Sequence, residues 1–414
     1  MAEIKPFCAI RPRRDLAHLI VSRPVATYRK DILKAKLKEN PYTFIHIIHP
    51  EFFEKGEQKT APNSVERFNK VKLKFEEFCD HDYFLKDNQP HFYIYRQSNE
   101  MRSYVGVIAG ASVDEYKKNK IKKHEATLTN REEIFTNYLE VVGVNAEPVL
   151  LFHKENKEVK NILNHHTKTR PEYEFTTTDK VKHELWLISK DELASIKDVY
   201  GNVGELYIAD GHHRSASSAR LADRLNKKGE KGDLHNYFLS YLISEEQLNI
   251  LPFHRLCKTL NGLSKEAFLE QVKIHFDIKQ IVKNSLPNEL HQINCCIKGE
   301  WYQFRLKPEI VDQLKGSNQI DYEILTQYIL TPILNIKDLK TDRNIRFSGG
   351  EVDLNKQEES IKKGDYEVGF FMYPVTVDQL KGVADRNDTM PPKSTWVEPK
   401  LRSGLTVYTI KNYG

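Results

Sequence analysis

One short stretch, YIADGHHRSASSAR (residues 207–220), constrains the fold more than any other part of the chain. An apolar run ends at Asp210, Gly211 follows it, and small residues with helical spacing come after Arg214. Glycine accepts the backbone angles of a tight turn, so the pattern predicts a strand, a turn and a helix. The apolar face of this helix is predicted at Ala216, Ala219, Ala222 and Leu225.

The predicted turn has the chemistry of an anion site. The first N–H groups of a helix lack partners inside the helix, and its dipole adds partial positive charge there. Gly211 lets the backbone approach a ligand, while His212, His213 and Arg214 can donate charge-assisted hydrogen bonds to phosphate oxygens. Small side chains at 215–218 are expected to leave the helix N-terminus open. Phosphate binding is the favoured interpretation, and a tight turn whose polar side chains only cap the helix is the alternative.

Strand-like and helix-like segments are mixed along the chain, which predicts an α+β fold. Phenylalanine and valine recur at helical spacing within 64–80. Aromatic residues at 91–97 are followed by RSYVGVIAGAS, which predicts a β-hairpin, and 147–153 is predicted to be a buried strand. The segment HIIH (46–49) has strand character, so its two histidines are predicted to face opposite sides of a strand.

A chain of 414 residues is long enough for several domains. Runs of strand-like and helix-like residues predict an N-terminal α+β domain, a central core, an inserted α+β unit and a C-terminal segment. These four parts are predicted at 1–114, 115–262, 263–345 and 346–414.

Composition narrows the classes of function. The formal net charge of +5 permits an anionic ligand and does not indicate nucleic acid. No run approaches the roughly 18 apolar residues of a membrane helix, and the first residues lack the apolar segment of a secretion signal. Five cysteines without a C-x-x-C pair are typical of reduced thiols, so a cytoplasmic protein without a membrane partner is expected. Cys or His residues do not cluster around His165 and His166, so no metal site is predicted.

A carboxylate stands in HEATL (124–128), just before another predicted helix. The segment begins like the helix of a zinc protease, but Leu128 occupies the position of the second histidine ligand. Thr129 and Glu132 have the spacing of a capping box, which predicts that the helix starts there. Glu125 is therefore predicted in the preceding loop, either as a catalytic acid–base group or as an acid favoured by the helix dipole.

These motifs together resemble a known fold. HE before a helix, a PVLL strand, and DGHHR after a strand resemble the ParB/sulfiredoxin-like fold, and within it the free serine kinases. KKGDYEVGFFMYPVTVDQLKGVA and MPPKSTW resemble the end of those kinases. Over nearly its whole length, including MAEIKPFCAIRP and ENPYTFIHIIHPE, the chain is identified as a member of the bacterial family DUF1015. The resemblance implies a multidomain α+β protein with a ParB/sulfiredoxin-like mixed α/β core. It also implies that the core binds nucleotide and that the C-terminal segment closes the active-site cleft.

The free serine kinases phosphorylate L-serine to O-phosphoserine with a nucleotide and Mg²⁺. By this resemblance Glu125 is the catalytic base, and Asp210 and His212 join it in the predicted catalytic set. The phosphate-binding residues implied are Gly211, His212, His213 and Arg214, and the substrate-binding residues are Lys393, Ser394 and Thr395. The chain departs from the expected pattern at Trp396 and Val397, where the kinases are expected to have a basic residue and a histidine.

The resulting prediction is a small-molecule kinase that uses Mg²⁺ with ATP or ADP and acts on a free amino acid, with serine as the first candidate. Segments near residues 125, 212 and 394 are predicted to converge on one pocket. A non-catalytic, nucleotide-dependent ParB-like regulatory or DNA-binding module is the alternative, and it predicts a helix-turn-helix or a strongly basic face. A metal-dependent hydrolase is a third possibility. The donor, the acceptor, the direction of the reaction and the oligomeric state stay open.

Overall fold

A computed structural model describes residues 3–54, 59–282 and 284–411. The strands, in chain order, are β1 (Ile4–Lys5), β2 (Ile10–Pro12), β3 (Phe84–Lys86), β4 (Tyr93–Ser98), β5 (Ser103–Ser112), β6 (Ile121–Lys122), β7 (Val144–Asn145), β8 (Val149–His153), β9 (Tyr173–Thr176), β10 (Lys182–Leu187), β11 (Leu206–Asp210), β12 (Tyr237–Ser244), β13 (Asn249–Leu251), β14 (Phe253–Cys257), β15 (Phe276–Ile281), β16 (Gln292–Ile297), β17 (Glu300–Leu306), β18 (Ile345–Gly349), β19 (Val368–Met372), β20 (Trp396–Glu398) and β21 (Tyr408–Thr409).

The α-helices, in chain order, are α1 (Ala17–Ile20), α2 (Lys30–Glu39), α3 (Ile45–Ile48), α4 (Val65–Asp80), α5 (Val113–Lys117), α6 (Thr129–Val142), α7 (Lys157–His166), α8 (Leu193–Gly201), α9 (His212–Lys227), α10 (Lys265–Val272), α11 (Pro308–Val311), α12 (Asp321–Leu325), α13 (Leu354–Lys362) and α14 (Val377–Asp385). The predicted α+β fold is confirmed. Within the described ranges, none of the helices is long and apolar enough to cross a membrane.

The described residues form two compact units. The first unit lies within Met1–Lys123, Thr127–Leu248 and Pro399–Gly414, and the second within His124–Ala126 and Asn249–Glu398. Each unit is built around its own sheet.

The sheet of the first unit has nine strands in the order β6-β11-β8-β12-β5-β4-β10-β9, with β1 paired to β5. It is mixed, because β8 runs parallel to β12 and antiparallel to β11. The predicted hairpin is confirmed by the antiparallel pairing of β4 with β5. All five residues of β8 are buried, as the apolar run at 147–153 predicts. The neighbouring strand β11, which leads into the glycine turn, pairs with β8 on one side and with the edge strand β6 on the other.

Helical spacing correctly predicts two helices of this unit. In α4, the buried positions are Phe68, Val71, Phe75 and Phe78. In α9, the apolar face is likewise buried, at Ala216, Ala219, Ala222 and Leu225. Burial of these faces against the rest of the unit accounts for both helices better than intrinsic propensity does.

The sheet of the second unit has six strands in the order β15-β17-β16-β19-β14-β18, and every pairing is antiparallel. A separate two-stranded pair, β13 with β20, joins Asn249–Leu251 to Trp396–Glu398. The pairing fixes the end of the segment that contains the proline-rich loop at 391–395.

Two local predictions are wrong. HIIH does not form a strand, because Ile45–Ile48 is a short helix whose Ile45 and Ile47 are buried. The predicted capping box is also absent, since Leu128 is the N-cap residue of α6 and makes no side-chain cap. The Glu132 carboxylate instead accepts a hydrogen bond from the hydroxyl of Thr127, two residues before the predicted Thr129.

The four-part domain division stays a prediction. The nine-stranded sheet combines β1, β4 and β5 with strands that follow residue 115, and the six-stranded sheet includes both β14 and β19. Hydrogen bonds within each sheet therefore link segments on both sides of the predicted boundaries.

Two buried histidines predict a pH-dependent stability. Burial lowers the pKa of His183, in the first unit, and of His254, in the second, to about 3 in each case. An unfolded histidine titrates near pH 6.5, so the stabilisation is complete above that pH and is lost as the pH falls toward 3. The free energy of unfolding should drop by about 1.4 kcal/mol per pH unit for each histidine.

The measurement is denaturant unfolding between pH 7.5 and 5, with His254→Asn as the variant. Asparagine does not titrate, and its carbonyl can accept the Met372 N–H that now donates to Nδ1 of His254 at 3.1 Å. The pH slope of the second unit should fall by about one proton. His18→Asn, at an exposed position, is the matched control. An unchanged slope in His254→Asn would contradict the assignment.

Candidate functional site

The strand, turn and helix predicted around residue 211 are present. Strand β11 ends at Asp210, and Gly211 is the N-cap of the 16-residue helix α9 with φ 104° and ψ 25°. This left-handed conformation favours glycine, because an L side chain at such angles is strained. The N-cap residue of α9 therefore has no side chain that could accept a hydrogen bond from the first N–H groups of the helix.

Arg214 occupies the space beside this glycine. A Cβ atom added to Gly211 would lie 2.9 Å from Nε of Arg214 and 3.0 Å from one of its terminal nitrogens. The guanidinium therefore folds back across the turn, in the space that a side chain at position 211 would fill.

Two carboxylates hold this guanidinium. Nη1 of Arg214 donates to Glu147, and Nη2 donates to Oδ2 of Asp210 at 3.2 Å. Burial lowers the pKa of Arg214 to about 10, which still leaves the side chain protonated at neutral pH. Nε has no hydrogen-bond partner among the described residues. An anionic ligand at the turn would therefore meet a charged donor that now binds the protein's own carboxylates.

The small residues after the turn have a role beyond the predicted one. Ser217 and Ser218 donate their hydroxyls to the carbonyls of His213 and Arg214 at 2.7 and 2.9 Å, one helical turn back. Ser217 is fully buried, and its carbonyl accepts from Thr136 of α6 at 3.3 Å. Small side chains here let α9 pack closely on α6, and an open helix N-terminus stays a prediction.

The remaining predicted residues of the turn differ in exposure. His212 is buried and His213 is half-buried, while the Asp210 side chain is 45% exposed. The carboxylate of Asp210 is a hard oxygen ligand of the kind that Mg²⁺ prefers. Within the described ranges, no three His, Cys, Asp or Glu residues form a metal-binding group. A Mg²⁺ ion at Asp210 would therefore need most of its ligands from nucleotide phosphates and water. His166, one of the pair considered for a metal, lies 3.1 Å from Glu192.

A cavity of about 290 Å³ lies beside Arg214 in the first unit. Its wall is mainly apolar and aromatic, and includes Phe68, Val71 and Tyr138. Its polar lining includes Asn145 and Glu147. The sequence analysis missed Asn145 and Glu147, although their position directly before the buried strand β8 could have drawn attention to them.

In the second unit, Glu125 lies in an exposed loop. The carbonyl of His124 accepts a hydrogen bond from the N–H of Met390 at 2.9 Å. This bond ties the loop that carries Glu125 to the residue that precedes the 391–395 segment. The structure therefore brings two of the three predicted site segments together within one unit.

The predicted substrate residues Lys393, Ser394 and Thr395 are not equally accessible. Lys393 is exposed and Thr395 is half-buried, whereas Ser394 is buried and donates to the carbonyl of Pro391 at 2.8 Å. The Ser394 hydroxyl thus serves the turn itself, which leaves Lys393 and Thr395 as the more accessible polar side chains.

A buried arginine that the sequence analysis missed supports this loop. Arg255 of β14 is 1% exposed, and its guanidinium donates to the carbonyls of Phe253 at 2.7 Å and Pro392 at 3.3 Å. It lies over the ring of Tyr322 at 4.5 Å, and burial lowers its pKa to about 10. The guanidinium therefore links the carbonyl of Pro392 to β14 by a hydrogen bond.

Trp396 is a packing residue. Its ring lies 5.6 Å from that of Phe253, and a Cβ atom on Gly349 would come within 2.6 Å of it. Trp396 stands where the kinases are expected to have a basic residue, and its ring packs against Phe253. Other residues would therefore have to recognise the carboxylate of an amino-acid substrate.

The family model described as "Protein of unknown function (DUF1015)" matches residues 4–326. The chain belongs to the DUF1015 family. The predicted family is thereby confirmed, and the described geometry is that of a DUF1015 protein. No curated protein matches the sequence.

Several solved structures are similar to this DUF1015 protein at low identity. SbnI with a C-terminal truncation, from Staphylococcus aureus, is 13% identical with a TM-score of 0.39, and the match covers 74% of this chain and 90% of that one. A free serine kinase mutant in complex with ADP is 13% identical with a TM-score of 0.36, covering 74% and 94%. A conserved hypothetical protein from Pyrococcus furiosus is 15% identical with a TM-score of 0.33, covering 72% and 95%. Similarity at this level carries no argument about activity.

Proposed function

We propose that this DUF1015 protein is a small-molecule kinase that transfers phosphate from ATP or ADP to the hydroxyl of a free amino acid, with L-serine as the first candidate. The observation that carries the proposal is the turn at 210–214. A left-handed glycine starts a long helix there, and an arginine folded over it is held by two carboxylates. Such a turn offers backbone donors, helix-dipole charge and a guanidinium to phosphate oxygens.

Phosphoryl transfer also requires a carboxylate near the acceptor hydroxyl and groups that orient the acceptor. Glu125 is proposed as the base, which takes the proton of the hydroxyl as its oxygen bonds to the terminal phosphorus. The bond from that phosphorus to the bridging oxygen breaks, and ADP (from ATP) or AMP (from ADP) leaves. The hydrogen bond between Met390 and His124 supports a shared role for Glu125 and the 391–395 loop. Lys393 and Thr395 are proposed to contact the amino acid. Convergence of all three segments on one pocket stays a prediction.

Mg²⁺ bound with the nucleotide would neutralise charge on the transferred phosphoryl group. Asp210 is the residue proposed to hold it, because its carboxylate is half-exposed and lies at the turn. His212 is proposed to support the same turn from its buried position, where a fixed ring can orient neighbouring donors.

The test incubates the protein with ATP or ADP, Mg²⁺ and a panel of amino acids, and measures phosphoamino acids and nucleotide products. We expect an O-phosphorylated amino acid to form only when nucleotide and Mg²⁺ are both present. Nucleotide binding without product across the panel would favour the non-catalytic regulatory module. The same result with added binding to duplex DNA would favour the ParB-like DNA-binding alternative.

A further inference from the structure

We propose that the cavity beside Arg214 holds the nucleoside of the donor nucleotide, so that the base lies among its aromatic residues and the phosphates reach the turn at 210–214. The inference rests on the proposed function and adds to it a site for the base. It assigns a role to the first part of the chain, since Phe68 and Val71 of α4 line this cavity.

Position is the first argument. Arg214 lines the cavity and also lies across Gly211 at the start of α9. One end of a ligand that fills the cavity would therefore lie beside the guanidinium of Arg214, which also lies at the turn at 210–214. A nucleotide has this shape, with a flat ring at one end and phosphates at the other.

Shape and chemistry are the second argument. A cavity of about 290 Å³ is at the lower end of the range for small-molecule sites, about 300–1,000 Å³. Phe135 lines it and is 42% exposed, so its ring is accessible to a ligand. The rings of Phe68 and Tyr138 add aromatic wall, with centroids 5.4 Å apart. Aromatic residues of this kind stack on the flat face of a base.

A polar group for the edge of a base is the third argument. Asn145 lines the cavity and is 6% exposed. Its amide offers both donors and an acceptor, which match the donors and acceptors along a base edge. A base in the cavity would therefore meet both kinds of hydrogen-bonding group at the position of Asn145.

Charge is the fourth argument. The two arginines that line the cavity are each paired with an acid, Arg67 with Glu51 and Arg214 with Glu147. The cavity thus carries little net charge along its wall, as an uncharged base and sugar require. A phosphate would instead compete with Glu147 for Arg214, which places the charged part of the ligand at that end.

The test is calorimetric titration of the full chain with ADP, adenosine and pyrophosphate, each with Mg²⁺. Asn145→Leu removes the amide at similar volume, and Val71→Phe fills the cavity. We expect Asn145→Leu to weaken ADP and adenosine about tenfold, the scale of one hydrogen bond, and Val71→Phe to weaken them more. Pyrophosphate, which needs only the turn, should bind both variants within twofold of the wild type.

Asn69→Leu is the matched control, because it makes the same change at an exposed position of α4. Circular dichroism of Val71→Phe checks its folding, and Asn145→Leu decides the question if that variant does not fold. Unchanged ADP binding in both variants would overturn the nucleoside site and leave the kinase proposal standing. An equal weakening of ADP and pyrophosphate binding would also overturn the nucleoside site, since the variants would then act through the turn at 210–214. A wild-type protein that binds neither ADP nor pyrophosphate would overturn both the nucleoside site and the kinase proposal.

Discussion

Replacing Glu125 with glutamine should abolish phosphoryl transfer while leaving nucleotide affinity nearly unchanged. Glutamine keeps the size of the side chain and loses its basicity, and positioned general bases contribute about 10²- to 10⁴-fold to a rate. Glu125 lies in an exposed loop, so the change should not affect folding. The measurements are kcat with the amino-acid acceptor and the Kd of the nucleotide by calorimetry, because a base acts on the rate and not on donor binding.

Glu39→Gln is the control for this variant, since Glu39 is an exposed glutamate at the end of α2. It should keep full activity. A Glu125→Gln protein with more than a tenth of the wild-type kcat would remove Glu125 from the proposed mechanism. A large rise in the Kd of the nucleotide would instead place Glu125 in donor binding.

Replacing Arg214 with alanine should weaken nucleotide binding by about 1.5–3 kcal/mol, the scale of a charged hydrogen bond. This corresponds to roughly 10- to 150-fold in Kd. The guanidinium lies over Gly211 at the start of α9, where the phosphates are proposed to bind. Arg220→Ala is the matched control, because Arg220 lies on the same helix and pairs with Glu133 at 2.7 Å. Its affinity should stay within about twofold of the wild type.

The carboxylate that now pairs with Arg214 gives an opposite test of the same site. Glu147→Gln removes a negative charge that competes with phosphate for the guanidinium, so nucleotide affinity should rise several-fold. The double variant Arg214→Ala/Glu147→Gln separates a lost donor from repulsion by the remaining acid. Affinity that returns to the wild-type value in the double variant would mean that repulsion, and not a lost contact, explains the effect of Arg214→Ala. Equal affinity in wild type and Arg214→Ala would remove the arginine from the site.

Local patterns predicted most of the regular elements around the site. The strand ending at Asp210, the glycine turn and the helix that follows were all predicted, because apolar periodicity and a glycine between them are local properties of the chain. The buried face of α4 followed from the same periodicity. HIIH was mispredicted, since four residues are too few to separate a strand from a short helix, and burial of Ile45 and Ile47 decided the outcome.

The sequence by itself determined the family, the α+β class, the turn at 211 and the segments that carry the candidate residues. Only the tertiary structure showed that Glu147 holds Arg214, that Arg255 holds the carbonyl of Pro392, and that Asn145 lines a cavity. The physical reason is sequence separation. Periodicity and turn chemistry depend on neighbours within a few residues, whereas the partner of a buried charge and the wall of a cavity come from segments tens to more than a hundred residues apart, which only packing brings together.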